Sequence, residues 1–248
     1  MLIYGINPVL EALRAGRVTN LRVSDRRDER LRVIIKLASE RGIAVRRIDR
    51  AMIEREARGA VHQGVIAEVR PTRSYSVADL VREAPGTPLL VVLDSLEDPH
   101  NVGAILRTAD AAGADGVIRQ SRRAARLDGA AAKASAGAVA YVKIADVVNV
   151  ARAIEELKEL GVWSVGLAGD APRRYDLLDL TAPTALVLGA EGTGLRRLVR
   201  ERCDWLVSIP MQGHVESLNV SVAAGIALYE AVRQRRLRAS SSGGKGPG

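Results

Sequence analysis

Residues 89–107 read LLVVLDSLEDPHNVGAILR, and this stretch decides the fold class. Leu89–Leu93 is a continuous apolar run, the pattern of a strand covered on both faces in a parallel sheet. Asp98 and Pro99 then open a helix, because aspartate can accept from the unpaired first-turn N–H groups and proline is preset for the first helical position. Asn101 and Gly103 fall in its first turn and Arg107 in its second.

Working outward, similar apolar runs recur at Gly116–Ile118, Tyr141–Ile144, Val162–Leu167, Ala185–Leu188 and Trp205–Ile209, each followed by a helical pattern or a turn. The expected architecture is α/β with a six-stranded, mostly parallel sheet. A last helix is expected over Asn219–Arg238, with Val222, Ile226, Tyr229 and Val232 as its buried stripe. Its Ala223, Ala224, Gly225 and Ala227 are small enough to let another backbone approach. Upstream lies a smaller α/β unit. Asn7 caps a helix with Pro8 at its first position, strands follow at Leu21–Val23, Ile43–Ile48 and Gln63–Val69, and a charged helix over Asp28–Arg41 stops at Gly42. Pro71–Pro88 breaks the pattern and holds one short helix capped by Ser76. The expected division is residues 1–70, a linker at 71–87, a larger domain at 88–238 and a disordered Ser/Gly-rich tail at 239–248.

Apolar residues make up 47% of the chain and charged residues 27%, which suits a folded protein with a buried core rather than a disordered one. The formal charge of +8 and the arginine pairs Arg26-Arg27, Arg46-Arg47, Arg122-Arg123, Arg196-Arg197 and Arg235-Arg236 point to a polyanionic partner. Cys203 is the single cysteine, so no intramolecular disulfide can form, and a packed thiol in a reducing cytoplasmic setting is expected. No window approaches the length of a membrane span and the first residues do not read as a signal segment. His62, His100 and His214 share no metal-ligand spacing with one another or with Cys203, so no metal is expected.

Ligands of open parallel sheets bind beyond the carboxyl ends of the strands, and three loops there carry candidate residues. The first is Asp94–Arg107. The second, LGAEGTGL at 188–195, has glycines that permit close backbone approach and Glu191 among them, but its spacing fits neither the dinucleotide fingerprint nor the phosphate loop. The third, IPMQGHVESLNV at 209–220, feeds the last helix, which Asn219 or Ser217 could cap. Taken singly, each of these residues has a plain structural explanation.

Together, NVGAILRTADAAGADGVI (101–118), ALVLGAEGTGL (185–195) and SIPMQGHVESLNVSVAAGIALYEAVR (208–233) resemble, in order, the three motifs of the SpoU, or TrmH, branch of the SPOUT methyltransferases. IYGINPVLEALRAG (3–16) and HQGVIAEVRPTRSY (62–75) resemble the N-terminal RNA-binding unit of the L30e/L7Ae type that many rRNA-directed members carry.

The resemblance implies a C-terminal trefoil knot, homodimerisation through the last helix, and S-adenosyl-L-methionine as cofactor. The backbone of Gly189, Ile209 and Leu218 would hold it, with Gly192, Met211 and Asn219 shaping the pocket and Ala168 and Gly169 at its edge. Arg107 is the implied leading catalytic residue, with Asn101, Glu191, Ser217 and Asn219 as the other polar motif positions. The implied reaction is methylation of a ribose 2'-hydroxyl in 23S rRNA, at a guanosine. The alternatives are a tRNA- or adenosine-directed enzyme and a non-catalytic RNA-binding assembly factor. Arg22, Arg26, Arg27, Arg30, Arg32, Arg46 and Arg47 would contact phosphates, which position RNA without reading its sequence. Aromatic residues are too few for extensive base stacking, so the shape of a folded RNA loop is expected to set specificity. The sequence departs from the family pattern in the alanine-rich stretch RRAARLDGAAAKASAGA (122–138) and at His214 and Glu216.

Overall fold

The computed structural model describes residues 2–25, 28–58, 61–70, 73–122, 124–127 and 129–242. Arg26, Arg27, Pro71, Arg123 and the end of the expected tail, 243–248, lie outside the described residues. In chain order the elements are β1 (Leu2–Tyr4), α1 (Ile6–Arg14), β2 (Val18–Val23), α2 (Glu29–Glu40), β3 (Val45–Arg47), α3 (Arg50–Ala57) and β4 (Val65–Val69). There follow α4 (Val77–Arg82), β5 (Leu89–Leu93), α5 (Pro99–Ala112), β6 (Gly116–Gln120), α6 (Gly129–Ala134) and β7 (Ile144–Val147). The last are α7 (Val150–Glu159), β8 (Trp163–Leu167), β9 (Thr184–Leu188), α8 (Arg197–Arg202), β10 (Trp205–Val207) and α9 (Val220–Ser242). Contacts group them into two compact units, one of residues 1–73, 98–107 and 125–141, the other of 74–97, 108–124 and 142–248.

The first unit holds a four-stranded sheet of order β1-β4-β2-β3, in which β4 runs antiparallel to both neighbours and β3 parallel to β2. On one side Ile53 and Ala57, one turn apart on α3, pack with Ile48 and Ile66. The strand β1 is too short to show a periodicity, and neither it nor α3 is anticipated by the sequence reading. The cap of α1 is also corrected: it is Gly5, at φ 95°, with Asn7 and Pro8 inside the helix. The N–H of Ile6, the first helical residue, donates to Gln63 Oε1 at 3.0 Å, an acceptor far away in sequence. Asp28 caps α2, accepting from the Arg30 N–H at 2.9 Å, a cap the sequence reading did not single out. Where a strand beginning at Tyr141 was expected, a 3-10 turn covers Ala138–Ala140 and the strand begins at Ile144. Ser135 is the cause: its hydroxyl accepts from the Gly137 and Val139 N–H groups (3.3 and 3.4 Å) and donates to the Ala132 carbonyl (2.9 Å).

The second unit is built on a six-stranded sheet of order β10-β8-β9-β5-β6-β7, every neighbouring pair parallel. All residues of β5 and β9 are buried, as helices on both faces require. Leu90, Val92, Ile118, Ala185 and Val187 of the sheet pack with Val77 and Leu80 of α4 and Val150, Ile154 and Leu157 of α7. Ser76 caps α4 in a reciprocal capping box with Asp79, an N-terminal signal readable in sequence.

The buried stripe of α9 differs from expectation. Ala224, Ala227, Leu228 and Ala231 are buried, whereas Val222 and Tyr229 are half exposed, at 49% and 50%. The small residues let the helix come close to the sheet, so packing distance rather than bulk decides which face turns inward. The helix continues to Ser242, into the stretch read as a disordered tail. Its Arg235 fans onto the carbonyls of Thr87, Pro88, Leu180 and Ala182.

Candidate active site

A cavity of about 580 Å³ opens at the carboxyl ends of β8, β9 and β10, a volume ordinary for a small-molecule site. Four segments of the second unit line it: 167–170 after β8, 188–195 after β9, the chain from Val207 through Met211 after β10, and 216–220 leading into α9. Gly189, Ile209, Leu218, Gly192, Met211, Asn219, Ala168 and Gly169 all lie on its wall, as do Glu191 and Ser217. The wall is apolar at Leu167, Leu188, Val207, Ile209 and Leu218, carries four glycines, and is polar or charged at Asp170, Glu191, Thr193, Arg200, Glu216, Ser217 and Asn219.

The loop after β9 is folded tightly on itself. Ala190 and Gly194 exchange backbone hydrogen bonds at 3.1 and 2.8 Å, and Gly192 and Gly194 adopt φ of +75° and +67°. Gly189 is a steric necessity there, since a Cβ on it would lie 2.2 Å from the Gly194 carbonyl carbon and 2.4 Å from the Leu195 nitrogen. Across the cavity, Asn219 ends the third loop by accepting from the Ser221 N–H at 2.9 Å, which is the capping role anticipated for it. Its amide nitrogen donates to Glu191 Oε1 at 2.5 Å. One side chain thereby joins the second loop to the start of α9.

Two charged contacts at the site escape the sequence reading. Asp170 receives a bidentate fork from Arg200 at 2.8 and 3.0 Å, and this guanidinium holds the Asp170 carboxyl below the usual carboxylate range. Asp94, at the end of β5 and fully buried, binds Arg196. Each pair joins residues distant in sequence, and no local spacing marks either.

Asn101 and Arg107 lie on α5, in a segment that groups with the first unit, and are not among the residues that line the cavity. Asn101 is buried, its N–H donating to the Asp98 carboxylate at 3.2 Å, while the Arg107 side chain is exposed. The Asp98 cap and Pro99 helix start fall where the sequence places them. Cys203 is half-buried and its thiol is pushed up to about 12, by burial first and then by Asp204 and Asp94, which makes it a packed group rather than a nucleophile. His62 is buried and accepts from the Gly64 N–H at Nδ1, whereas His100 and His214 are exposed. Among the described residues no His, Cys, Asp and Glu cluster has the makings of a metal site, and no helix is long and apolar enough to cross a membrane.

Part of the anticipated basic surface is already occupied. Arg22 lies between Glu56 and Glu68 at 3.2 and 2.7 Å with its side chain 18% exposed, so it is an internal tie rather than a phosphate contact. Arg30, Arg32, Arg46 and Arg47 are exposed.

Comparison with known proteins matches this arrangement. Residues 2–75 match the family described as RNA 2'-O ribose methyltransferase substrate binding. The chain is 45% identical to the 23S rRNA (guanosine-2'-O-)-methyltransferase RlmB of Photobacterium profundum over 95% of this chain and 98% of that one. It is 44% identical to the protein of the same name from Escherichia coli K12, over 94% and 98%. Among solved structures, the SpoU methyltransferase AviRb of Streptomyces viridochromogenes in complex with AdoMet superposes with a TM-score of 0.80 at 27% identity, covering 96% of this chain and 91% of that one. An AdoMet-bound rRNA methyltransferase from Sinorhizobium meliloti gives a TM-score of 0.76 at 28% identity, covering 94% and 86%. Residues 88–229, which carry the cavity and the whole parallel sheet, match the SpoU rRNA Methylase family, and the chain belongs to that family.

Proposed function

We propose that this protein methylates the 2'-hydroxyl of a guanosine in 23S rRNA, with S-adenosyl-L-methionine as donor. The observation that carries this reading is the cavity on which the segments after β8, β9 and β10 and the start of α9 converge. The residues present fit the donor: glycines lie beside apolar side chains, Glu191 and Glu216 add negative charge to the lining, and the lining's Arg200 is already paired with Asp170. An uncharged adenine needs shape and edge hydrogen bonds, which main-chain groups at Gly189, Ile209 and Leu218 supply, while a cationic sulfonium is favoured near carboxylates.

The bound donor supplies a methyl group already activated for transfer, so the protein's work is to bring the ribose oxygen into line and assist loss of its proton. Asn219 and Glu191, bonded to each other, hold the second and third loops in one geometry. Ser217 and Asn101 complete the polar set that arranges the target. Arg107 positions the nucleotide and stabilises the developing alkoxide. A guanidinium stays protonated at ordinary pH, so it acts as a donor and not as the base.

The wider organisation belongs to the same reading. Residues 1–70 engage the RNA, 71–87 link to the methyltransferase domain, the C-terminal loops are threaded as a trefoil knot, and two copies pair through α9 in the cytoplasm. The half-exposed Val222 and Tyr229 on α9 support the pairing, since they form an apolar strip on a helix face.

The deciding experiment incubates the protein with methyl-labelled S-adenosylmethionine and total RNA lacking the modification, then maps 2'-O-methyl positions. Label is expected at a guanosine of 23S rRNA. Label in tRNA or on an adenosine would redirect the substrate, and RNA binding without label would make the protein an assembly factor.

A further inference from the structure

The loop after β9 shapes the cavity, yet what fixes its two ends lies on a different strand. At the loop's entrance the Asp94 N–H donates to the Leu188 carbonyl at 2.8 Å. At its exit Asp94 Oδ2 accepts from the Arg196 N–H at 2.8 Å and Asp94 Oδ1 accepts from Arg196 Nε at 2.7 Å, with Arg196 Nη2 2.6 Å from the same Oδ1 in the ion pair. A single residue of β5 therefore spans the loop from residue 188 to residue 196. Its carboxylate is 0% exposed, whereas the Arg196 side chain is 47% exposed. A buried carboxylate is costly to desolvate, and two hydrogen bonds to its two oxygens together with the guanidinium charge are what offset that cost.

Inside these ends the loop is held by its own main-chain turn and by the Asn219–Glu191 hydrogen bond. Between them lie the Ala190–Gly194 exchange, a Glu191–Thr193 turn and two glycines at positive φ. Glycine loses more freedom on ordering than any other residue, so a loop of this composition has many shapes open to it once its ends are free. The adjacent Ser95 is held at φ +60° without being glycine, a sign that the surroundings impose the backbone there.

We propose that Asp94 and Arg196 are positioning residues for donor binding: together they clasp the 189–195 loop in the shape that receives S-adenosylmethionine, without touching the donor themselves. This rests on the cavity being the donor site. The clasp sets donor affinity through loop order and leaves the chemical step to other groups.

The test compares full-length wild type with Asp94→Asn, Arg196→Gln and Arg196→Lys. Donor affinity is measured by calorimetry, backbone amide exchange over 189–195 without donor, and KM and kcat on 23S rRNA. Wild type must bind the donor; if it does not, the cavity assignment fails before the clasp is at issue. Given binding, Asp94→Asn and Arg196→Gln are expected to weaken donor affinity and raise donor KM by about tenfold, with kcat at saturating donor within about twofold. Exchange at Ala190 and Gly194 should quicken in both, and Arg196→Lys should recover part of the loss by restoring a cation. Ser164→Ala, which disturbs the contact of Ser164 with Asp204, controls for general loss of stability and should leave donor affinity unchanged. Should Asp94→Asn fail to fold, the two Arg196 variants decide the matter alone. Wild-type affinity and loop exchange in Arg196→Gln, or an equal loss of affinity in Ser164→Ala at matched stability, would overturn the proposal.

Discussion

At the scale of single residues, the site depends on what a side chain would displace as much as on what it contributes. Gly189 contributes no atom beyond the backbone, but the Gly194 main chain occupies the place its Cβ would take. Backbone cannot swing aside as the tip of a flexible side chain can, so the whole 189–195 loop would have to move. Gly189→Ala is therefore expected to lower stability by about 1–3 kcal/mol, the usual cost of overpacking, and to weaken donor binding with it. Chemical denaturation and calorimetry would check the two effects, and a fully stable variant would show that the loop has room to adjust. Polar motif residues are a different case: Asn219 is both the cap of α9 and the partner of Glu191, so its structural and functional explanations are not rivals.

At the scale of elements, helix propensity and packing can oppose each other. Gly103 sits in the second turn of α5, where an isolated helix would gain about 1 kcal/mol from alanine. In the folded protein a Cβ there would meet the Ala131 carbonyl oxygen and Ala134 Cβ at 2.6 Å and the Ser135 nitrogen at 2.9 Å. The helix-to-helix approach of α5 and α6 dominates, because the clash falls largely on backbone. Gly103→Ala is expected to destabilise by about 1–3 kcal/mol, reversing the sign that propensity gives, and urea unfolding would show which effect wins. The alanines of α6 find a local reason in this contact. Ala131 and Ala132 are buried, and small residues there let α6 lie against a helix that is itself glycine at the point of contact.

At the scale of the whole molecule, the compact units do not follow the chain as contiguous blocks. Residues 98–107, with Asn101 and Arg107, and residues 125–141 belong to the unit formed by 1–73. Tyr141 OH donates to Glu11 at 3.0 Å, and Arg17 donates to the Val139 carbonyl at 3.3 Å. Removing residues 1–70 would strip these partners from 125–141 while leaving the cavity lining intact. The truncated protein is therefore expected to bind S-adenosylmethionine within a few-fold of wild type and to lose RNA methylation even at high RNA concentration. Retained methylation would show that the α5 segment keeps its working geometry without the N-terminal residues.

The sequence by itself determined the α/β class, the apolar runs that became β5, β8 and β9, the caps at Ser76 and Asp98, and the loops at 188–195 and 209–220, which both reach the cavity. These are local matters, set by residues a few positions apart through strand burial, helix capping and glycine conformation. Only the tertiary structure decided that Gly5 rather than Asn7 starts α1, that α9 buries its alanines, that Arg22 is tied to Glu56 and Glu68, and that Asp94 closes on Arg196. Each of these depends on a partner many residues away, brought near by packing, and the chain's local pattern carries no information about who that partner is.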